Sequence, residues 1–325
     1  MKLVRILLNR INGLYFPREY LCLANETFEQ PLLVYLTDNN KILKDITQTH
    51  VFAGYHPLIF ILQSATGRAM EFQDNIDVIL SPVAMQPNVS LGEKDATASL
   101  RLKLFRKHTE GDRTLFFYEG IYGQHHFLSP FHQYIIDLNN QLFNKKTGNI
   151  FLPGNLYRQV QIAYSIPRII SLVTTGHAKL YNLFPSDLHG PIGDQYYIVS
   201  LRQGGKASQQ VESSGKIVIS TLHTDAFKKA YSLGKNHMQE LKPEENFPFA
   251  KTTSAIFHLP LPNHALNYRE LDLIASFDYG IHKLFLFKIV SMKVMLEEKS
   301  TLVHIHNTYA TWRYNKGLPG NYLLR

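Results

Sequence analysis

At 325 residues the chain is long enough for two buried cores, and 45% hydrophobic with 18% charged residues is an ordinary globular balance. A single cysteine, Cys22, excludes an intrachain disulfide, and no apolar run reaches the length of a membrane-spanning helix, so a cytoplasmic protein without a membrane partner is expected. The formal charge of +8 is uneven: residues 1–150 carry 15 Lys/Arg against 14 Asp/Glu, and residues 151–325 carry 19 against 12.

The basic residues of the second half are scattered, and neither a recognition helix nor a zinc-finger spacing occurs. That pattern disfavours nucleic acid and points to a phosphorylated small molecule, the plain alternative being a solvated basic surface. With 18 Tyr and 20 Phe against one Trp, the composition suits pleated sheets, so a mainly β chain with short helices is expected.

In chain order, Met1–Arg10 reads as a first strand; Arg5 interrupts its apolar run, which argues against a signal peptide. Residues 31–63 can then be laid over residues 167–203. Each reads as a proline, an apolar strand, a polar turn with Lys (Lys41; Lys179), a second strand, a Gly-containing loop and a third strand. Ile76–Ser81 takes the place of Ile217–Leu222, and Thr114–Phe151 parallels Lys283–Leu323. The pattern predicts an internal duplication of two split-barrel-like Greek-key domains, 1–150 and 151–325, joined by the Gly/Pro-containing stretch Lys145–Gly154. The second half carries an insertion, His223–His264, that reads as a lid or as the cover of a barrel edge.

Within that half, Asn155–Ser165 reads as a helix capped by Asn155 and ended by Pro167. Ile169–Thr174 and Tyr196–Leu201 are strands. Ala207–Ser214 is a helix stopped by Gly215, and Ile217–Leu222 a further strand. Thr224 or Asp225 caps a helix with Phe227, Ala230 and Tyr231 inward and Gly234 at its close. Leu284–Met295 and Thr301–Thr308 are the last strands, followed by a turn before Trp312.

The segment most telling for chemistry is Tyr196–Gln209, where a strand runs into Arg202, Gly204, Gly205, Lys206 and Ser208 at a helix start. Glycines admit a ligand close to the backbone, helix-start amides and their dipole favour an anion, and Arg202, Lys206 and Ser208 add donors. These residues suit a phosphate, although the Walker spacing is absent and the same residues also make an ordinary strand-to-helix turn.

Taken in order, Pro167–Leu188 with its Val173-Thr174-Thr175, the Lys206-Ala207-Ser208 step, Gly215–Ser220 and Gly280–Val290 resemble the flavin reductase-like FMN-binding split-barrel family. The resemblance spans most of residues 155–325 and implies FMN, in preference to FAD, as cofactor and NAD(P)H as co-substrate. It places Asn182, Phe184 and Ser186 along the isoalloxazine and ribityl chain and Ser200 and Arg202 at the strand end beside the flavin. Lys206 and Ser208 would hold the 5′-phosphate, and His282 would lie near the ring. Two residues depart from the family: Lys288 stands where Gly is usual, and Ser208 replaces the commoner Thr. Family barrels usually dimerise, so either a homodimer or a pseudo-dimer completed by the first half is implied, with one flavin per chain. The first-half counterpart of the phosphate step, Ser64–Arg68, lacks the Gly-Gly-Lys-x-Ser arrangement.

His304 and His306 share one face of a strand and, with His237 or His282, are a conceivable metal set. The 15 His are spread through the chain, however, and no metal site is expected; His306 and Arg313 are kept as candidates to line the flavin pocket, the plain alternative being ordinary structural side chains. Three functions are carried forward: an NAD(P)H-dependent flavin oxidoreductase, a flavin-binding module without turnover, and a cofactor-free barrel working through protein contacts. No catalytic acid or base is assigned, because in the first of these the cofactor carries the chemistry.

Overall fold

The computed structural model describes residues 10–25, 32–39, 41–65, 72–89, 92, 95–143, 151–297, 301–318 and 320–323. The expected N-terminal strand and most of the 145–154 linker lie outside these residues. The chain is mainly β, as composition implies, and its contacts divide it into two compact units. One comprises residues 1–21, 28–167 and 305–319, the other residues 22–27, 168–304 and 320–325.

After β1 (Tyr20–Asn25), the first unit is built from β2 (Leu33–Asp38), β3 (Lys41–Asp45), β4 (His50–Tyr55), β5 (Leu58–Ala65), β6 (Asn75–Ser81), β7 (Ala98–Glu110) and β8 (Arg113–His125). Helices α1 (Pro130–Phe143) and α2 (Asn155–Ala163) follow. The seven strands form one sheet in the order β3-β2-β6-β7-β8-β5-β4. Helix α2, read above as opening the second half, packs in this unit. Asn155 is its first residue rather than its cap, and Gly154 takes the cap position. The Asn155 side chain instead accepts from the Gly123 amide at 2.6 Å and donates to the Gly123 carbonyl at 2.8 Å, which fastens the helix to β8.

The second unit contains β9 (Arg168–Ile169), β10 (Ser171–His177), β11 (Leu180–Ser186), β12 (His189–Ile192), β13 (Tyr196–Arg202), α3 (Lys206–Ser214) and β14 (Lys216–Leu222). The insertion adds α4 (Phe227–Ser232), β15 (Lys242–Pro243), β16 (Phe249–Thr253) and β17 (Pro260–Pro262). The chain then runs through β18 (Ala265–Tyr279), β19 (His282–Val294), β20 (Thr301–His306), α5 (Asn307–Asn315) and β21 (Asn321–Leu323). The main sheet has the order β12-β13-β19-β18-β14-β10-β11-β15. Matching β2 with β10, β3 with β11, β4 with β12, β5 with β13, β6 with β14, β7 with β18 and β8 with β19, the two sheets have the same strand order. In both, the two longest strands form an antiparallel hairpin at the sheet centre.

Alternation of side chains across a strand explains the cores of the second unit. Tyr197, Val199 and Leu201 of β13, Ile217 and Ile219 of β14, and Phe285 and Phe287 of β19 bury one face together with Ala207 and Val211 of α3. The opposite faces of β10, β11 and β14, through Leu172, Leu183 and Leu222, pack with Cys22, Leu302 and the insertion's Ala226, Ala230 and Leu233. Each of the Val, Leu, Ile and Phe side chains among these contributes about 1.5–3 kcal/mol on burial.

The insertion is therefore a cover. Its β15 pairs with β11 at Leu180 and Tyr181, closing an edge of the sheet. Leu259 and Leu261 lie on Val218 and Tyr268, and the buried Glu270 carboxylate accepts from the amides of Ile256 and Phe257, at 3.0 and 2.6 Å.

Several local expectations shift by a residue or two. The strand over 169–174 is broken at Ile170, whose amide bonds the Leu302 carbonyl. The helix over 224–234 is a 3₁₀ turn Thr224–Ala226, α4, and a second 3₁₀ stretch Leu233–Met238. Its cap is His223, whose ring nitrogen accepts from the Asp225 amide, rather than Thr224 or Asp225. The last strand stops at His306, not Thr308, and Trp312 lies inside α5 instead of after a turn. Here too a histidine is the cap: His306 Nδ1 accepts from the Thr308 amide at 3.2 Å and starts the helix.

Candidate functional site

Helix α3 begins directly after the Arg202–Gly205 turn, as the Gly-Gly step predicts. The Gly205 amide donates to the Arg202 carbonyl at 3.0 Å, closing the turn. A Cβ at Gly205 would lie 3.2 Å from that carbonyl and 3.3 Å from the His237 carbonyl, a tight fit that glycine relieves. Gly205 is the N-cap, no side chain caps the helix, and its first turn contains no acidic residue. The amides of this turn are thus without a side-chain cap, with a dipole that favours negative charge. Lys206 is half-buried and holds Glu240 at 2.7 Å, Arg202 is exposed at the strand end, and Ser208 is buried. Two cations therefore flank the helix start, while the hydroxyl lies beneath it.

The remaining expected residues of this unit are ordered by β11 and β13. Asn182 is buried and donates to Gln210 Oε1 at 2.7 Å and to the Asn236 carbonyl at 3.0 Å; its own Oδ1 is buried without a hydrogen-bond partner. Phe184 is a core residue whose ring lies 4.8 Å from that of His237. Ser200 and His282 are buried together, Oγ to Nδ1 at 3.3 Å. Ser186 alone among them lines an open cleft, a cavity of about 180 Å³.

That cleft is lined by Ile170, Pro185, Ser186, Asp187, Ala230, Tyr231, Gly234 and His304. Asp187 and His304 pair at 2.7 Å, and the His304 ring lies edge-on to Tyr231 at 6.2 Å. Burial pushes the Asp187 carboxyl up, but the His304 hydrogen bond and charge, with Arg168 and His189, outweigh it and hold the group below its ordinary value. His189 itself is pushed down to about 4 by burial, against the opposing pull of Asp187, and its Nδ1 lies 2.8 Å from the Tyr197 hydroxyl. Burial likewise lowers His237, whose Nε2 donates to the Pro185 carbonyl at 2.8 Å.

The 3₁₀ stretch Leu233–Met238 connects the two features. Gly234 lines the cleft, Asn236 donates to the Leu183 carbonyl at 2.8 Å, and the His237 carbonyl abuts Gly205. At about 2 Å rise per residue, the cleft and the uncapped helix start lie at the two ends of one short turn.

His306 and Arg313 belong to the first unit, where both are buried. His306 caps α5, and the Arg313 guanidinium lies 5.9 Å from the Tyr309 ring centroid. Neither lines the cleft. His304 and His306 thus serve different partners, and among the described residues no group of three or more His, Cys, Asp or Glu could hold a metal ion. Sequence reasoning passed over Asp187, Tyr231 and the Asp187–His304 pair. Asp187 sits inside the resembling Pro167–Leu188 segment, next to Ser186, but its partner stands 117 residues away.

The β-rich second unit thus presents an uncapped helix start flanked by two cations, beside a cleft. Residues 163–313 match the family model described as the flavin reductase like domain, so the second half of the chain carries that domain. Similar solved structures include an FMN-binding protein from Thermus thermophilus with bound p-hydroxybenzaldehyde (16% identity over 46% of this chain and 80% of that one, TM-score 0.38). Others are the NADH:FAD oxidoreductase SgcE6 of Streptomyces globisporus C-1027 (12% identity, 50% and 96% coverage, TM-score 0.41) and flavin reductase PheA2 (14%, 51% and 97%, 0.38). No curated protein matches the chain. Among the described residues, no helix is long and apolar enough to cross a membrane.

Proposed function

We propose that the chain binds FMN at the second unit and works as a flavin-reductase-type protein using NAD(P)H. The observation that carries this reading is the coincidence of a flavin reductase like domain over residues 163–313 with the uncapped α3 start flanked by Arg202 and Lys206. The residues fit the group: amides without a side-chain cap and two cations suit a phosphate monoester, and the adjoining cleft has an apolar wall and a few polar atoms.

In this reading Lys206 exchanges Glu240 for the phosphate, and Arg202 and the first α3 amides complete the grip. Ser186, Asp187 and the Pro185 backbone bound the ring, with His304 fixing the Asp187 carboxylate. Asn182, Phe184, Ser200, Ser208 and His282 lie beneath this surface and keep β11, β13 and α3 in place. When bound, a flavin supplies hydride acceptance from NAD(P)H and electron delivery to a second acceptor; the protein's part is position and exclusion of water. The proposal extends to a cytoplasmic setting, which suits the lone Cys22, and to an origin by duplication, for which the shared strand order is the support.

The test is direct. Purified protein should show the visible absorption of bound flavin, or quench FMN fluorescence on titration, and the absorption should bleach on adding NADH or NADPH. Lys206→Ala and Arg202→Ala should each weaken FMN by tenfold or more, since a hydrogen bond to a charged group contributes about 1.5–3 kcal/mol. Riboflavin, which lacks the phosphate, should be unaffected by either change. Equal FMN affinity in wild type and both variants would refute the phosphate assignment, and colour without bleaching would leave a binding module rather than a reductase.

A further inference from the structure

The central hairpins of the two units are irregular at the same places. Strands β7 and β8 slip register after Arg101 and again after Leu104; β18 and β19 slip after Glu270 and again after Leu273. Laying the first slips over each other equates whole rows of cross-strand neighbours. Thr37–Asp77–Arg101–Tyr122 stands where Thr174–Val218–Glu270–Ser291 stands. One step along the strands, Tyr35–Ile79–Ser99–Gln124 stands where Leu172–Ser220–Tyr268–Lys293 stands.

In the second unit a stretch of polypeptide lies on these rows. Leu259 and Leu261 of the insertion cover Val218 and Tyr268, the Tyr268 hydroxyl accepts from the Ala255 amide at 3.2 Å, and Glu270 gathers the Ile256 and Phe257 amides. That loop belongs to the long connection from β14 to β18, residues 223–264. The matching connection from β6 to β7 is residues 82–97, and its Met85 and Ala96 pack instead on Tyr35, Ile42 and Ile79. What remains in the first unit is a cleft of about 650 Å³ over Thr37, Asp77, Ser99 and Arg101. Tyr122 and Gln124 of β8 bound it on one side, and Asp38 and Asn39 at the end of β2 on the other.

We infer that this cleft docks an extended, basic peptide segment of a partner protein, seated across β2, β6, β7 and β8 on the rows that the insertion's own loop occupies in the second unit. The lining is polar where the second unit's is apolar: Asp77 and Ser99 replace the leucine-covered Val218 and Tyr268, and Arg101 replaces the amide-gathering Glu270. Asp77 Oδ1 takes Arg101 Nε at 3.0 Å, which leaves Asp77 Oδ2 and the terminal guanidinium nitrogens for a ligand. Gln124 and Asn39 each add a donor and an acceptor. Acceptors and donors side by side along a row are what the N–H and C=O groups of an extended chain require. With strands ~4.8 Å apart the row is about 14 Å long, the reach of roughly four extended residues. Asp38 and Asp77 against Arg101 make the cleft net negative, which selects Lys or Arg in the segment, and the exposed Tyr122 ring offers such a cation a π-face. The cleft lies outside residues 163–313 and is independent of the flavin reading.

The experiment uses the full chain. It is screened against a phage-displayed library of random nine-residue peptides, and the enriched sequences are synthesised and titrated by fluorescence anisotropy. They should carry Lys or Arg and bind more weakly as salt rises. Asp38→Lys and Tyr122→Ala, at exposed positions where circular dichroism should not change, should each weaken them tenfold or more. Ser99→Trp, which fills the cleft, should abolish binding. A library that yields no binder, enriched sequences without Lys or Arg, or peptides that bind all three variants as tightly as wild type would overturn the proposal. The same proteins are applied to an array of neutral oligosaccharides. Glycan binding that Ser99→Trp removes, with no peptide able to compete, would replace the peptide by a saccharide.

Discussion

Asp187 and His304 form a pair about one-fifth exposed on each side, in the cleft assigned above to the flavin ring. Such a pair is neither a surface ornament nor a sealed core bridge; removing one partner leaves the other half-desolvated. Asp187→Asn is expected to cost about 1–3 kcal/mol at neutral pH. Because the folded state holds the Asp187 carboxyl below its unfolded value, this contribution is present above about pH 4 and fades as pH falls through the folded value, so wild type and variant should converge in strong acid. Thermal unfolding of both proteins across pH checks it. Histidines give a second pH signature of opposite origin. His125 in the first unit and His189 in the second are each pushed down to about 4 by burial. Between about pH 6.5 and 4 the unfolded chain takes up protons that these folded imidazoles refuse, so stability falls with falling pH, by up to roughly 3 kcal/mol for each. Replacing His125 with Asn should flatten the first unit's part of that slope; a melting temperature already flat between pH 7 and 4.5 in wild type would contradict the neutral, buried imidazoles.

At the scale of elements, the legible parts were those whose signals are local. The helix Lys206–Ser214 and its stop follow from Gly205 before it and Gly215, left-handed at φ 64°, after it. The strand Tyr196–Arg202 follows from an unbroken β-branched and aromatic run. The caps at His223 and His306 were missed because a histidine caps through Nδ1 only when its ring is turned back on its own chain, which no composition rule records. The Asp187–His304 pair was missed because it is a tertiary contact. Position in the chain likewise showed that residues 223–264 were extra, but only their contacts show what they do. Glu270 is the sharpest case, a buried strand carboxylate gathering loop amides of the insertion. Glu270→Ala should leave the Ile256 and Phe257 amides without an acceptor and cost several kcal/mol. The loop should then become the first site of limited proteolysis, while Glu270→Gln, which keeps one acceptor oxygen, should restore most of the protection. Equal protease resistance in all three proteins would show that the apolar contacts of Leu259 and Leu261 hold the loop unaided.

For the whole molecule, the two halves of the sequence are not the two units of the structure. Cys22 of β1 is fully buried in a core of the second unit, and β1 pairs with β21 through Cys22 and Leu323. Helices α2 and α5, which lie after residue 150, pack in the first unit. A fragment cut at residue 151 thus lacks a strand of the second unit and keeps two helices that belong elsewhere. It is expected to be less stable than the intact chain and to expose apolar surface, measured as increased binding of a hydrophobic dye. Adding back a peptide spanning β1 should reverse part of the effect. A fragment as stable as the full chain would show that the β1 contribution is dispensable. Strand periodicity suggested a like order of strands in each half, but the assignment of pieces to the two units depends on pairings too distant for any pattern to announce.

The β1–β21 pairing has a temporal side. A ribosome releases Cys22 about 300 residues before Leu323, so the strand that completes the second unit's small sheet must wait, unpaired, while the residues between them are made. Its run Tyr-Leu-Cys-Leu-Ala is then an apolar edge without a neighbour, the kind of segment that seeks the wrong partner. Yield in the cell should accordingly be limited by protection of the nascent chain until β20 and β21 have emerged to pair with it.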